Sequence, residues 1–487
     1  MSLRQNQNSG ELKLLDPEKR PLDEAELRRV LRKLDYHILP IVVLLYLLAF
    51  LDRGNLTQMT TLMHRLLGMV EDANLTGLSY NIVRLTLIPY CIGEVPSNIM
   101  LKIVRPSRWR ELICDIQCAL AVTLMCLCDS FRSLLIARLF VGLTESALSP
   151  GILFYLSTWY PRRYLAWRVG VYVTASVLAG EALLKLRRYG IERMDNLGGL
   201  HGWQWIFGLE GIVTVLVGFI SLFFIHDSVQ SANFLTISEK DYLQRAIARD
   251  SSELLVHLDR KFIWQAFKDY RTYLHSLCFI GIMIPLYSLA LFLPTLVHEL
   301  GYRAIDAQLF TVPPYALGCV CTLVCAYISD RLNLRGPLII FAALLGIIGF
   351  IILLCSSSST LGYIAMFFAT AGVFSADAVF CTWFSTAYSG ETKRAVAIAI
   401  INGAGNLGGV LASFVYINPK SFYIGYSVNI GCLAATILVT GFMIWEFNRA
   451  NRLKERQCVG TDITVELKAE WKNMGDRSPL FRFAALC

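Results

Sequence analysis

The chain has 487 residues, of which 55% are hydrophobic and 17% charged, with a formal net charge of +8. A soluble domain carries about 25% charged residues, so this composition excludes an ordinary water-exposed globule. Apolar runs recur at roughly 38–58, 78–101, 111–128, 133–158, 168–189, 204–225, 273–296, 307–328, 337–355, 361–384, 395–417 and 424–446. Backbone crossing lipid must satisfy its hydrogen bonds internally, so runs of this length are expected to be helices. The alternating ten-residue pattern of a membrane barrel is missing from the sequence. The predicted fold is therefore an all-α polytopic membrane protein of about twelve transmembrane helices.

The first run is the most informative. Ile38–Phe50 holds thirteen residues, whereas a membrane-spanning helix needs roughly 20. To span, the helix must take Asp52 and Arg53 with it. A charge at the bilayer centre costs about 2.5–3.5 kcal/mol, so such residues face a bundle interior or a wet cavity. Adjacent residues lie about 100° apart on a helix, and the two charges cannot point the same way. Two readings stay open: an ion network that orders the outer gate, or Arg53 attracting an anion while Asp52 takes part in proton exchange. Residues 1–37 lack an apolar signal core, so no cleavable leader is expected before this helix.

The basic residues show a topology rather than a nucleic-acid footprint. Lys102, Arg105, Arg108, Arg110, Arg162, Arg163, Arg168, Arg331, Arg335, Lys393, Arg394 and Arg449–Arg456 fall on alternate connections. That positive-inside bias predicts both termini in the cytoplasm. Arg187, Arg188 and Arg193 break the pattern by falling on the outer side. Asn74-Leu75-Thr76 is a glycosylation acceptor in a predicted outer loop, which favours a plasma-membrane location and leaves a vacuolar membrane open.

Further along, Arg138 and Glu145 are seven residues apart and share one face of the fourth span. Either they form a packed bridge to a neighbouring helix, or they serve substrate or coupling ion. In span five, Glu181 and Lys185 are spaced i,i+4 and can pair along one face; a cationic mouth for an anion, interfacial snorkelling and partial loss of function are all open there. Arg84 and Asp377 are isolated intramembrane charges. Asn402 and Asn406 share a face of span eleven, with helix–helix hydrogen bonding or substrate contact as their readings. Pro150-Gly151, Pro285, Pro294 and Pro313-Pro314 interrupt apolar runs and are expected to bend helices. The fourteen cysteines lack metal spacing, the seven histidines are scattered, and no phosphate loop is present. No metal, cofactor or enzymatic chemistry is expected.

The stretch from about His226 to Arg271 is polar, the longest connection between spans, with six runs on either side. Thr236-Ile237-Ser238-Glu239 reads as a capping box opening an amphipathic helix there. The expected organisation is a cytoplasmic tail (1–37), a six-helix half (38–225), a cytoplasmic linker (226–272), a second six-helix half (273–446) and a cytoplasmic tail (447–487).

Several motifs now converge on a resemblance. Asp330-Arg331, with Arg335-Gly336 following, resembles the inner-loop signature of the major facilitator superfamily, with Ala326 and Asn333 in place of two glycines. Arg138 followed four residues later by Gly142 resembles its second motif. Leu51-Asp52-Arg53-Gly54-Asn55 resembles the Leu-Asp-Arg-x-Asn of the anion:cation symporter family, typified by fungal allantoate and vitamin permeases. Pro96-Ser97-Asn98, Trp159-Tyr160-Pro161-Arg162, Gly202–Phe207 and Thr392-Lys393-Arg394-Ala395 continue the series over about residues 35–450. The resemblance implies the major facilitator fold and a monomeric, proton-coupled carrier of a small organic anion in a lipid bilayer. It implies substrate or coupling roles for Asp52, Arg53, Asn55, Arg138 and Glu145, and a gating role for Asp330, Arg331 and Arg335. An efflux carrier of a secondary metabolite and a non-transporting nutrient sensor are the alternatives. The span-five charges and Ala387, where the family often carries Asn, depart from the pattern.

Overall fold

A computed structural model describes residues 23–58, 87–104, 116–128, 130–178, 201–251, 260–299, 310–356, 358–415, 422–458, 467, 471 and 474–483. Each of the twelve apolar runs contains helix there. The first six runs give α1 (Glu24–Gln58), α2 (Leu87–Val104), α3 (Ile116–Leu124), a split pair α4 (Phe131–Glu145) and α5 (Leu148–Trp159), α6 (Leu165–Leu178) and α7 (Gly202–Phe224). The polar connection holds α8 (Ile237–Ser251) and α9 (Arg260–Lys268). The last six runs give α10 (Tyr270–Glu299), α11 (Val312–Leu332), α12 (Arg335–Cys355), α13 (Ser359–Ala387), α14 (Glu391–Val415) and α15 (Phe422–Cys458). Among the described residues, nine helical stretches are long and apolar enough to cross a membrane.

Local chemistry explains the breaks. Pro150 has no N–H for the carbonyl of Ser146 and its ring would clash there, so α4 stops at Glu145 and α5 starts at Leu148. Pro313-Pro314 follows a break: Phe310 is helical, Thr311 is a turn, and the prolines occupy the first turn of α11, where the missing N–H groups have no intrahelical partner to lose. The predicted capping box forms: Thr236 N donates to Glu239 Oε2 at 2.8 Å and Glu239 N to Thr236 Oγ1 at 3.4 Å. The Thr236 N–H, and Lys33 Nζ at 2.9 Å, hold the Glu239 carboxyl below the usual carboxylate range and tie α8 to α1.

At 1.5 Å per residue, the 35 residues of α1 reach about 52 Å, well beyond a hydrocarbon core of about 30 Å. Its first turns therefore stand outside the apolar layer, where α8 packs on them. Lipid-facing positions are apolar and exposed, such as Phe223 and Leu438. Small residues fill helix contacts. A Cβ on Gly372 would lie 2.3 Å from the Gly346 nitrogen, so only glycine allows α12 and α13 this approach, the small-residue packing of membrane helices. Two sets of helices pack internally: α1, α3, α4, α6 and α7 in the first, α10 to α15 in the second. They meet where α2 packs on α14, α6 on α11 and α13, and α5 on α13 and α14.

Candidate functional site

The seam between the two sets holds a cavity of about 60 Å³, with polar groups set among apolar side chains such as Val173, Met283, Leu286 and Phe374. Tyr46 and Phe50 of α1, Ser149 of α5 and Tyr172 of α6 line one side; Phe279 and Tyr287 of α10, Asp377 of α13, and Asn402 and Asn406 of α14 line the other. The Tyr46 and Tyr172 rings approach to 4.0 Å, and the Tyr172 hydroxyl lies 3.2 Å from Ser149 Oγ. Asp377 is buried, and its described hydrogen-bond partner is the Cys381 thiol at 3.4 Å. Small-molecule sites span roughly 300–1,000 Å³, so the helices are drawn in around this cavity.

One polar tie crosses the seam beside it. Glu94 on α2 is fully buried, and its Oε1 accepts from Asn406 Nδ2 at 2.7 Å. The Tyr287 hydroxyl donates to Asn406 Oδ1 at 3.2 Å, and Asn402 Nδ2 donates to Ile398 O at 3.0 Å. Asn406 thus bridges helices and lines the cavity at once. A turn further along α2, Asn98 Nδ2 donates to Ala395 O of α14 at 3.0 Å. Glu94 is the residue that reading the sequence missed. Its signal was present: an acid within the apolar run 78–101, the kind of residue that marks a polar pathway.

The basic ends of the helices gather on one face, and there the seam is closed by directional contacts. Asp330 at the end of α11 accepts from the Ala166 and Trp167 backbone N–H groups, both at 2.9 Å. These are orphan donors of the first turn of α6, where an anion also meets the positive end of the helix dipole. Arg335, 1% exposed, donates through Nη2 to Arg162 O at 2.5 Å across the seam, and through Nη1 to Thr386 Oγ1. Arg168 grips Asp35 with two bonds of 2.8 and 2.7 Å, which fixes α6 to α1. Arg331 is exposed and donates to its own helix through Tyr327 OH at 2.9 Å.

The two motif departures are explained here. Asn333 caps α11 with φ of 54°, a left-handed conformation that Asn tolerates and that glycine usually fills. Ala326 faces Gly170 of α6, where an added Cβ would lie 2.8 Å from the Ala326 methyl. The glycine needed for close approach therefore sits on the partner helix.

Two other predicted residues, Arg138 and Glu145, fall apart from the cavity. Arg138 and Glu145 are both buried on α4, with the Arg138 guanidinium 5.1 Å from the Phe207 ring centre on α7, and neither is among the described cavity-lining residues. Asp52, Arg53 and Asn55 lie in α1 with side chains outside the described set; Arg84, Glu181, Lys185, Arg187, Arg188, Arg193 and Asn74 lie wholly outside the described residues.

The model of the Major Facilitator Superfamily matches residues 42–413. The chain belongs to the major facilitator superfamily. Its all-helical, twelve-span architecture is that of the family, and as a member it is a multi-pass membrane transporter, a class apart from enzymes. An uncharacterized transporter of Schizosaccharomyces pombe is 29% identical over 458 residues, covering 93% of this chain and 90% of that one. The MFS-type transporter cnsO of Penicillium expansum is 32% identical over 485 residues, covering 94% and 91%. Among solved structures, the proton:xylose symporter XylE bound to 6-bromo-6-deoxy-D-glucose matches with a TM-score of 0.66 at 17% identity, over 84% of this chain and 95% of that one. That last likeness concerns the fold.

Proposed function

We propose that this facilitator carries a small organic anion together with protons, by alternating access, as a monomer in the plasma membrane. The observation that carries the reading is the cavity at the seam, with the buried Asp377 carboxyl in its wall and the Glu94–Asn406 hydrogen bond beside it. A carrier of this kind needs a polar site reachable from either side and a titratable group that senses the substrate's presence. Asp377 supplies the proton-binding group, Asn402 and Asn406 supply amides for a carboxylate or ureide, and Arg53 of α1 supplies the countercharge. Asp52 and Asn55 order the outer part of α1, and Arg138 with Glu145 couples α4 to the cycle. Glu181 and Lys185 extend the same cationic path outward. The basic face is cytoplasmic, with both tails on that side, the two six-helix halves rocking about the 226–272 linker, and Asn74 glycosylated outside.

The test is flux in proteoliposomes with an imposed inward proton gradient, against carboxylated vitamins, allantoate-like ureides and small peptides. The expected outcome is gradient-driven accumulation that Asp377→Asn uncouples and Arg53→Ala weakens at least tenfold in apparent affinity. Proton-independent flux of a neutral solute by the intact protein, unaffected by either substitution, would overturn it.

A further inference from the structure

The segment 474–483 lies far from the cavity and belongs to no motif, yet it is docked as tightly as a core element. Phe481 and Phe483 are 0% and 1% exposed. Lys454 Nζ donates to the carbonyls of Asp476 at 2.5 Å and Phe481 at 3.0 Å. Asn451 holds the Phe483 backbone at both ends, Nδ2 donating to its carbonyl at 2.8 Å and Oδ1 accepting from its N–H at 2.9 Å. Asp476 Oδ2 lies 2.7 Å from Lys393 Nζ of α14. The Phe483 ring stacks on Phe447 at 4.8 Å, with the Arg271 guanidinium 4.4 Å from its centre. Backbone clamping, a buried ion pair and two aromatic anchors are how a peptide-recognition site is built.

One contact crosses the seam. The guanidinium of Arg162, between α5 and α6, lies 4.4 Å from the Phe481 ring centre. The same residue's carbonyl receives the Arg335 bond. Arg162 is thus held through its backbone by the inner-loop motif and through its side chain by the segment. Every other named contact of the segment is to α10, α14 or α15.

We infer that the basic face carries a peptide-binding site for an acidic-then-aromatic segment, that residues 475–483 of this chain are its occupant, and that the occupied site clamps the seam shut through Phe481 and Arg162. Withdrawal of the segment, or its capture by a competitor, takes the Phe481 ring from the Arg162 side chain and lets the basic face open. The inference rests on the two halves moving as the proposed carrier requires, but it is read out as a distance, so loss of flux and loss of the clamp are told apart.

The experiment places spin labels, through unnatural amino acids, at the exposed positions Arg28 and Leu332, one in each half. Deleting residues 474–487 should raise the ratio of long to short distances more than tenfold, because it removes the buried phenylalanine stacked on a cation together with the Asp476 and Phe483 contacts. Phe481→Ala, which leaves Asp476 and Asn451 engaged, should give a smaller shift in the same direction. A synthetic peptide of residues 474–483 added to the truncated protein should restore the short distance. If truncation prevents folding, the Phe481→Ala protein alone decides. A distribution unchanged in every folded variant overturns the inference, as does a peptide that binds without shortening the distance.

Discussion

The seam between the two helix sets is built in two different ways along its length. At the basic face it is closed by short, directional contacts: Asp330 on two α6 amides, Arg335 on the Arg162 carbonyl, and Gly170 against Ala326. At mid-depth the same helices part around polar side chains, with Tyr46, Asp377 and Asn406 facing a small cavity. A surface that must release repeatedly is better served by a few strong, discrete bonds than by a wide apolar interface, because those bonds have a definite broken state. A surface that must accept a polar solute needs the opposite, unfilled space and exposed hydrogen-bonding groups. The difference is what the proposed carrier requires of a gating end and a recognition site.

Three substitutions at the gating end should break that division, in falling order. Gly170→Leu forces a side chain into a contact where even a Cβ meets Ala326 at 2.8 Å. Overpacking costs about 1–3 kcal/mol, so the closed population measured by cross-seam labels should fall about 5- to 150-fold, with folding of each half retained. Asp330→Ala removes the acceptor for two α6 amides and should cost about 1–2 kcal/mol, the range for a lost helix cap. Thermal shift in detergent checks it, and Asp330→Asn should recover part of the loss. Asn333→Val places a β-branched residue at φ of 54° and should cost about 1–2 kcal/mol, while Asn333→Gly should be tolerated. Equal effects of the valine and glycine variants would remove backbone conformation as the reason for asparagine there.

Much of the architecture was legible because lipid imposes a single pattern: long apolar runs become helices. The inner-loop residues were legible too, since Asp330 and Arg335 act at fixed places along a recognisable motif. Legibility ended where partners come from distant helices. Glu94 and Asn406 are 312 positions apart, and nothing in either run names the other. The compensation of Ala326 by Gly170 is likewise a contact between helices, invisible along one of them. The docked segment 474–483 carries no periodicity at all; its order comes from Lys454 and Asn451 on α15, which read from sequence as loop charge and a polar tail. Arg138 and Glu145 shared a helix face as expected, but a shared face does not say which neighbour it meets, and the Arg138 guanidinium meets Phe207.

The central claim is that the seam must open for the cavity to be served. Cys319 of α11 lies with its Sγ 4.0 Å from the Thr174 carbonyl of α6, so Thr174→Cys places two thiols across the closed seam. Proteoliposome flux should stop when this pair is oxidised and return on reduction, with the unsubstituted protein, which keeps Cys319, unaffected. Cross-linked protein that transports at the reduced rate would contradict the account.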